Sequence, residues 1–441
     1  MASAVSNVYS SLMQAGMATL AWMDRRFGTP VVDAQDASPH PHIARLRERG
    51  DVLRSYMLNG WIVLAHADVK ALLQDRRLSS EVFRSPLLRR VIRSAARGES
   101  VPLIDYPSLV NIDAPDHTRL RRLSAKSFTN RFVQSLEPKI RRIVGELLDQ
   151  VSNQDEFDVV EALAGPLPAI VIAEMLGVPT EERHLFEEWS AQLIRYTEIL
   201  NADAIAEAAD GDRAMRSYLQ ALVERKRAQP ADDLVSSLIA AEADGDALDI
   251  DELLSLCTLL LVAGHETTTR LISSCLYLLL EHPEQLAAVR ADRDLVAPAL
   301  EEALRLEPPV LAVSRIVSEP FEFRGTRFRR GQVVLLSVAG ANRDPAVVEA
   351  PDRFDVHREK FDHVSFGHGV HLCLGMPLAR LEAAIAFDML LDRYAELSFA
   401  SDAHDWGESP FFRGLTALRV RARAAADAAP AEPLADAAIG A

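Results

Sequence analysis

Near its C-terminal end the chain reads FGHGVHLCLG, Phe366 to Gly375, one cysteine with two glycines before it and one after. Glycine loses more backbone entropy on folding than any other residue. Gly367, Gly369 and Gly375 therefore imply positive φ or a close approach of the backbone to something bulky and flat. Pro377 suits the first turn of a helix, and Leu378, Leu381 and Ile385 keep helical spacing after it. Cys373 then sits just before the positive end of a helix, where free N–H groups lower a thiol pKa and prepare a thiolate. A lone cysteine at such a place is commonly a small buried residue. Zinc is the sharper rival, since His363, His368, His371 and Cys373 are close in sequence, but no second ligand knuckle exists in the chain. A cysteine protease would need a His and an Asn across an open cleft.

Other stretches ask for chemistry as well. In LLLVAGHETTTR, residues 259–270, a glycine, an acid and three threonines interrupt a helix whose flanks, Leu253, Leu256, Leu260, Leu271, Leu276 and Leu279, are apolar almost all round. Buried there, Glu266 and Thr267 need partners. A threonine hydroxyl can bond to the carbonyl four residues back, and Gly264 eases a local opening of the helix into a groove. In EALR, Glu302 and Arg305 share a helical face in an apolar context. In DAPDHTRLRRLSAKSF, His117 and Arg121 lie four apart on one face, aimed at one target. Read from the residues alone, this is a helical haem or metal protein.

The pattern F-G-x-G-x-H-x-C-x-G resembles the haem-binding loop of the cytochrome P-450 family, the haem-thiolate monooxygenases, in its soluble bacterial type. That resemblance implies haem b, iron protoporphyrin IX, with Cys373 as the axial metal ligand and Phe366, Gly367 and Gly375 shaping the loop around it. Thiolate donation to iron favours cleavage of a bound O–O bond, which makes O2 the co-substrate. AGHET is similar to the family's central-helix motif A-G-x-E-T, so Glu266 and Thr267 take the role of the acid and alcohol that deliver protons, with Thr268 next in line. His117, Arg121, Arg315 and His371 match the family's propionate contacts, four cations around two carboxylates. Glu302 and Arg305 look like the family's E-x-x-R pair, with Arg353 of PDRF as third partner, a structural support for the cysteine loop. By the same motifs Leu259, Val262, Ala263, Leu311, Val313 and Leu415 face the substrate, which implies a mostly apolar molecule of terpenoid, steroid, fatty acid or polyketide class, hydroxylated or epoxidised. A peroxide-using haem enzyme and a non-catalytic haem sensor are the alternatives, and the Glu266–Thr267 pair argues against both.

The elements that position these residues follow from periodicity. Helical spacing dominates from Pro115 to about Leu306, with helices expected at 115–129, 136–152, 167–177, 182–197, 203–227 and 250–281, and one more from Gly375 to about Tyr394. Asn59-Gly60 between apolar runs signals a hairpin and an early small sheet. FEFRGTRFRRGQVVLLSV reads as a second small sheet, and FFRGLTALRVRA ends the fold with strand-like residues. The connection 79–111, with arginines at 84, 89, 90, 93 and 97, reads as a lid. The fold class is mainly α with small β-sheets (α+β), and the resemblance implies the cytochrome P-450 fold. Residues 1–38 form a lead-in segment, the first 23 of them without side-chain charge and reading as a weakly amphipathic helix of the kind that suits a membrane surface or partner; 39–423 form a single domain, and 424–441 a disordered Ala/Pro-rich tail.

Composition bounds the partners. With 49% hydrophobic residues the 441-residue chain can bury a large core, and its net charge of -16 disfavours nucleic acid. Three scattered cysteines point to a reducing, cytoplasmic setting, and no apolar run is long enough for a transmembrane segment. There is no flavin or nicotinamide fingerprint and no iron–sulfur cysteine cluster, so electrons must come from outside. The resemblance implies a ferredoxin plus an NAD(P)H-dependent ferredoxin reductase, and a monomer; an acidic ferredoxin would dock on a local basic patch, for which Arg119, Arg122, Lys126 and Arg380 are the candidates, with ordinary solvated charges as the alternative reading.

Overall fold

The central helix is the longest apolar element, and the rest of the molecule is arranged around it. In the computed structural model it runs unbroken from Ile250 to Glu281. Asp249 starts it: its Oδ1 accepts from Glu252 N at 2.8 Å while the Glu252 side chain accepts from Asp249 N at 3.0 Å, a reciprocal cap that satisfies two otherwise unpaired donors. Leu253, Leu254, Leu256, Leu261, Leu271, Leu276 and Leu279 bury it on several sides, as expected for a helix apolar nearly all round. Against it pack the helices Pro166–Leu176, Arg183–Ile194, Val296–Leu306 and Met376–Arg393.

The structure describes residues 38–425 except 57, 86–88, 90–92, 94–100, 102–104, 107, 195–201, 241–245, 408 and 410. The lead-in, the C-terminal tail and most of the expected lid in 79–111 lie outside the described residues.

The expected helices are found at Asp116–Ser127, Glu137–Gln150, Pro166–Leu176, Arg183–Ile194, Ala202–Ala228 and Ile250–Glu281. Helices His66–Leu73, Leu234–Ala240 and Pro283–Ala291 are additional. The Asn59-Gly60 hairpin pairs Val52–Ser55 with Gly60–Val63, Asn59 taking φ 45°. The second sheet is only partly as expected. Phe321–Phe323 and Thr326–Phe328 form a separate two-stranded hairpin, turned by Arg324 and Gly325 at positive φ. Val333–Ser337, however, joins the first hairpin in parallel, giving one five-stranded sheet with Ala312–Val317 and Leu78–Ser79. Gly60 permits that junction: a Cβ there would lie 1.7 Å from Val333 O. FFRGLTALRVRA supplies strands Leu415–Ala417 and Arg419–Ala424. Among the described residues, no helix is long and apolar enough to cross a membrane.

Candidate active site

One cavity of about 620 Å³ lies between the central helix and the cysteine loop, and its wall includes Cys373, Gly375, Thr267, Arg121 and Arg315. The loop is held from behind. Val364 N donates to Asn342 Oδ1 at 2.9 Å, and Ser365 Oγ donates to Leu304 O at 2.7 Å. Gly367 and Gly369 take φ 74° and 76°, and a Cβ on Gly369 would come within 2.9 Å of Gln74 Cγ. Those two glycines meet the expectation of positive φ, and Gly375 does not. Its φ is -81°, and a Cβ there would meet no protein atom within 4 Å, so it leaves room in the cavity wall. Cys373 N donates to Phe366 O at 2.9 Å, closing the loop before the helix Met376–Arg393.

The thiol is open to the cavity yet enclosed by the fold. Burial pushes its pKa up, outweighing the Gly375 and Met376 N–H groups and the Arg121 and Arg380 charges that pull it down. The expectation that the helix terminus alone lowers this pKa is therefore corrected: desolvation is the larger effect. A thiolate here needs a further positive partner.

The four expected propionate contacts come together, with different charges from those expected. Arg121, Arg315 and His371 line the cavity, and His117 lies behind, its ring centroid 4.1 Å from that of His371. Burial, then the neighbouring His117 and Arg315, push His371 down to about 4. Burial and Arg121 likewise lower His117. The cluster holds two guanidiniums and two largely neutral imidazoles instead of four cations. His371 Nδ1 faces Leu109 O at 3.2 Å and so carries the proton, while Nε2 lies 3.2 Å from Ser80 Oγ, whose own proton has the nearer acceptor Asp113 Oδ1 at 2.6 Å.

Arg121 Nη2 donates to Leu372 O at 2.7 Å and Arg315 Nη1 to Ser314 O at 3.0 Å, and among the described residues neither forms a salt bridge. His117 Nε2 is buried without a hydrogen bond among the described residues. Two guanidiniums lacking carboxylates, an unsatisfied imidazole, an accessible thiol and an open glycine suit a flat, metal-bearing dianion, and the residues present fit haem.

Across the cavity, Thr267 and Thr268 are in the wall and Glu266 is not. Thr267 Oγ1 donates to Ala263 O at 2.7 Å within a continuous helix, so the expected opening at Gly264 is absent. Gly264 serves packing instead: a Cβ would lie 2.8 Å from Ile172 Cδ1. Glu266 is bound by Arg270, one turn on. Of the expected substrate contacts, Leu259, Val262, Ala263 and Val313 line the cavity. Leu311 does not, because its N–H and C=O tie it to Phe411 O and Ala339 N. Nor does Leu415, which is in the core. Val310, Ala312 and Phe412 take their places.

Behind the loop, Glu302 and Arg305 pair through two hydrogen bonds of 2.7 and 2.8 Å, fully buried. Arg353 contributes only its carbonyl, to Arg305 Nη2 at 3.1 Å; its side chain is 66% exposed and holds Asp355. The side chain that reaches Glu302 is Arg358, whose Nε donates to Oε1 at 2.9 Å because the chain turns back after Phe354. The expected docking arginines are also engaged: Arg119 with Asp246 and Glu252, Arg122 with Asp246, and Arg380 with Glu301. The Lys126 side chain lies outside the described ones. Sequence reasoning missed Glu382, a buried acid in the cavity wall. Its signal was an acid one turn after Leu378 on a buried helical stripe.

Comparison with known proteins agrees with this geometry. Residues 107–405 match the family model described as Cytochrome P-450. The chain is 40% identical to cytochrome P-450 107B1 of Saccharopolyspora erythraea over 88% of its own length and 96% of that protein's. To the 6-deoxyerythronolide B hydroxylase of the same organism it is 38% identical, over 86% of this chain and 94% of the relative. The structure of cytochrome P-450 CYP109Q5 from Chondromyces apiculatus superposes with a TM-score of 0.81 at 36% identity, covering 89% of this chain and 98% of that one. A thiol-bearing glycine loop, an acid–alcohol central helix and matches along most of the chain lead to one conclusion: this protein belongs to the cytochrome P-450 family of monooxygenases.

Proposed function

We propose that the protein hydroxylates or epoxidises a mostly apolar small molecule, using haem b held by Cys373 and electrons from a ferredoxin and its NAD(P)H-dependent reductase. The observation that carries this reading is the division of one cavity into an ionic side, with Cys373, Arg121 and Arg315, and an apolar side, with Leu259, Val262, Ala263, Val313 and Phe412. Bound there, haem supplies the iron at which O2 is activated by two electrons and two protons, one oxygen atom entering the substrate and the other leaving as water. Cys373 Sγ would bind that iron as a thiolate. Arg121 and Arg315 would neutralise the two propionates, and His117 Nε2 would gain the partner it lacks. The apolar wall orients substrate by shape and excludes water. Thr267 Oγ1 passes a proton into the cavity, and Glu266 renews it.

The test begins with an absorption spectrum of the purified protein, reduced and exposed to carbon monoxide. A red-shifted Soret band that Cys373→Ala abolishes is expected, and a band typical of histidine ligation would remove the assignment. Terpenoids, steroids, fatty acids and polyketides are then screened by spin-state shift. Binding confined to small ionic compounds would overturn the apolar class. Turnover with ferredoxin and reductase is expected to exceed that with hydrogen peroxide, and Thr267→Ala to divert electrons from product to peroxide.

A further inference from the structure

Besides Arg121 and Arg315, the cavity wall carries a third guanidinium, that of Arg216, from the helix Ala202–Ala228. It stands at the end where the central helix begins. Its Nη2 donates to Oδ1 of Asp251, in the first turn of that helix, at 2.9 Å. Its Cζ lies 3.7 Å from the ring centroid of Tyr106, a second wall residue, which holds the guanidinium against an aromatic face. The Asp251 side chain is 62% exposed and that of Arg216 only 13%, so the carboxylate faces solvent and the cation is turned inward. A pair with so exposed a carboxylate is weak and easily exchanged for another anion.

Ser255 follows Asp251 by one turn and Thr258 follows Ser255 by nearly one, so both continue the stripe of the central helix on which Arg216 rests. Both line the cavity, and both hydroxyls are enclosed without a hydrogen-bond partner among the described residues. Farther along the same helix, Thr267 and Thr269 return their hydroxyl protons to Ala263 O and His265 O. That is the usual resort of a buried helical hydroxyl, and Ser255 and Thr258 do not take it. They remain donors for what fills the cavity. From Ser255 to Thr267, the wall residue across from Cys373, the helix is continuous, and its rise separates the two by about 18 Å along the axis. Leu259, Val262 and Ala263 line the wall between them.

Two carboxylates lie near Arg216, and neither belongs to the cavity wall. Asp251 looks to solvent. Asp212, one turn before Arg216, is 4% exposed, and burial pushes its pKa up to about 6. The charged group that meets a ligand at this end is therefore the guanidinium.

We propose that Arg216, helped by the hydroxyls of Ser255 and Thr258, is a specificity-determining subsite for the carboxylate of an elongated apolar acid, which places the carbon to be oxidised far from the acid group. This rests on the proposed oxidation of an apolar substrate in the cavity, and it narrows that class to molecules with one anionic end.

The experiment titrates the haem-loaded protein with tetradecanoic acid, its methyl ester and tetradecyltrimethylammonium, whose quaternary nitrogen cannot bind iron, reading Kd from the spin-state shift. The acid is expected to bind about tenfold more tightly than the ester, and Arg216→Gln to abolish that advantage while leaving the ester unchanged. Mass spectrometry of the product should find oxygen in the half of the chain remote from the carboxyl group. Equal affinities for acid and ester, an equal loss of both in Arg216→Gln, or oxidation beside the carboxyl group would overturn the inference and leave the apolar reading standing. Tighter binding of the ammonium compound would overturn it in favour of Asp212 and Asp251. Binding of none of the three would remove the elongated acid, and the wider screen of apolar compounds decides separately whether the apolar reading falls as well. Should Arg216→Gln not take up haem, Asp251→Asn, which frees the guanidinium from its surface partner, should tighten the acid about threefold and not the ester. A change shared by both compounds, or no change, would count against the subsite.

Discussion

Glu302 and Glu382 occupy neighbouring helices, Val296–Leu306 and Met376–Arg393, and are almost equally buried, at 5% and 2% exposure. Glu302 is saturated: Arg305 and Arg358 donate to it, and Asp355 N adds a bond at 3.2 Å. Glu382 has no hydrogen bond among the described residues, its Oε2 is enclosed without a partner, and it stands in the cavity wall. Burial pushes its pKa up to about 8, so it is mostly protonated at neutral pH. A carboxylate surrounded by donors builds structure, whereas one left neutral and unpartnered keeps a proton within the cavity wall.

The comparison breaks first at Glu302. Glu302→Ala strands Arg305, only 1% exposed, without its carboxylate, and the expected loss is about 3–5 kcal/mol in urea unfolding of the holoenzyme. A loss below about 1 kcal/mol would mean that the network is dispensable. Glu382→Gln should behave in the opposite way. A carboxyl whose folded pKa is about 8 against 4.5 ordinarily contributes most below pH 4.5, and stability drains away as pH rises toward 8. The drain is about 3 kcal/mol by pH 7, and glutamine, which does not titrate, escapes it. The unpaired amide carries its own cost, but that cost is the same at every pH. The stability of Glu382→Gln relative to the parent should therefore rise between pH 5 and pH 8, as read by unfolding at both. Parallel pH curves would show that Glu382 is ionised in the fold after all.

What could be read from the sequence divides along the same line between local and distant partners. The long helices and the Asn59-Gly60 hairpin were legible because period and turn chemistry are carried within a few residues. His66–Leu73 and Pro283–Ala291 were less so, being too short to establish a period. The parallel junction of Gly60–Val63 with Val333–Ser337 depends on strands far apart in the chain, and no local signal announces it. At the site, the residues around Cys373 were legible as a group, since one motif encloses them. Their charges were not. His371 lies near a normal value only in water, and His117, Arg315 and burial together bring it to about 4. The Glu266–Arg270 pair was present in the sequence at i,i+4, yet only Gly407 and Gly414, close against Arg270 from the C-terminal region, distinguish it from a surface pair.

The smallest expected effect sharpens the account of Glu302. Arg353 and Arg358 both follow Pro351, and either could be written as the second arginine on Glu302 from sequence alone. The structure separates them by what their side chains do. Arg358 Nε bonds Glu302, and its Nη atoms hold Glu349 O at 2.7 Å, Ala350 O at 3.3 Å and Arg353 O at 3.0 Å, binding the segment before the cysteine loop to the helix of Glu302. Arg353 offers only an exposed pair with Asp355, while its carbonyl does the structural work and survives any substitution of the side chain. Arg358→Ala should thus cost about 1–3 kcal/mol, and Arg353→Ala less than about 0.5 kcal/mol, measured as urea midpoints with unchanged slope. Equal losses would restore Arg353 to the role its motif implied.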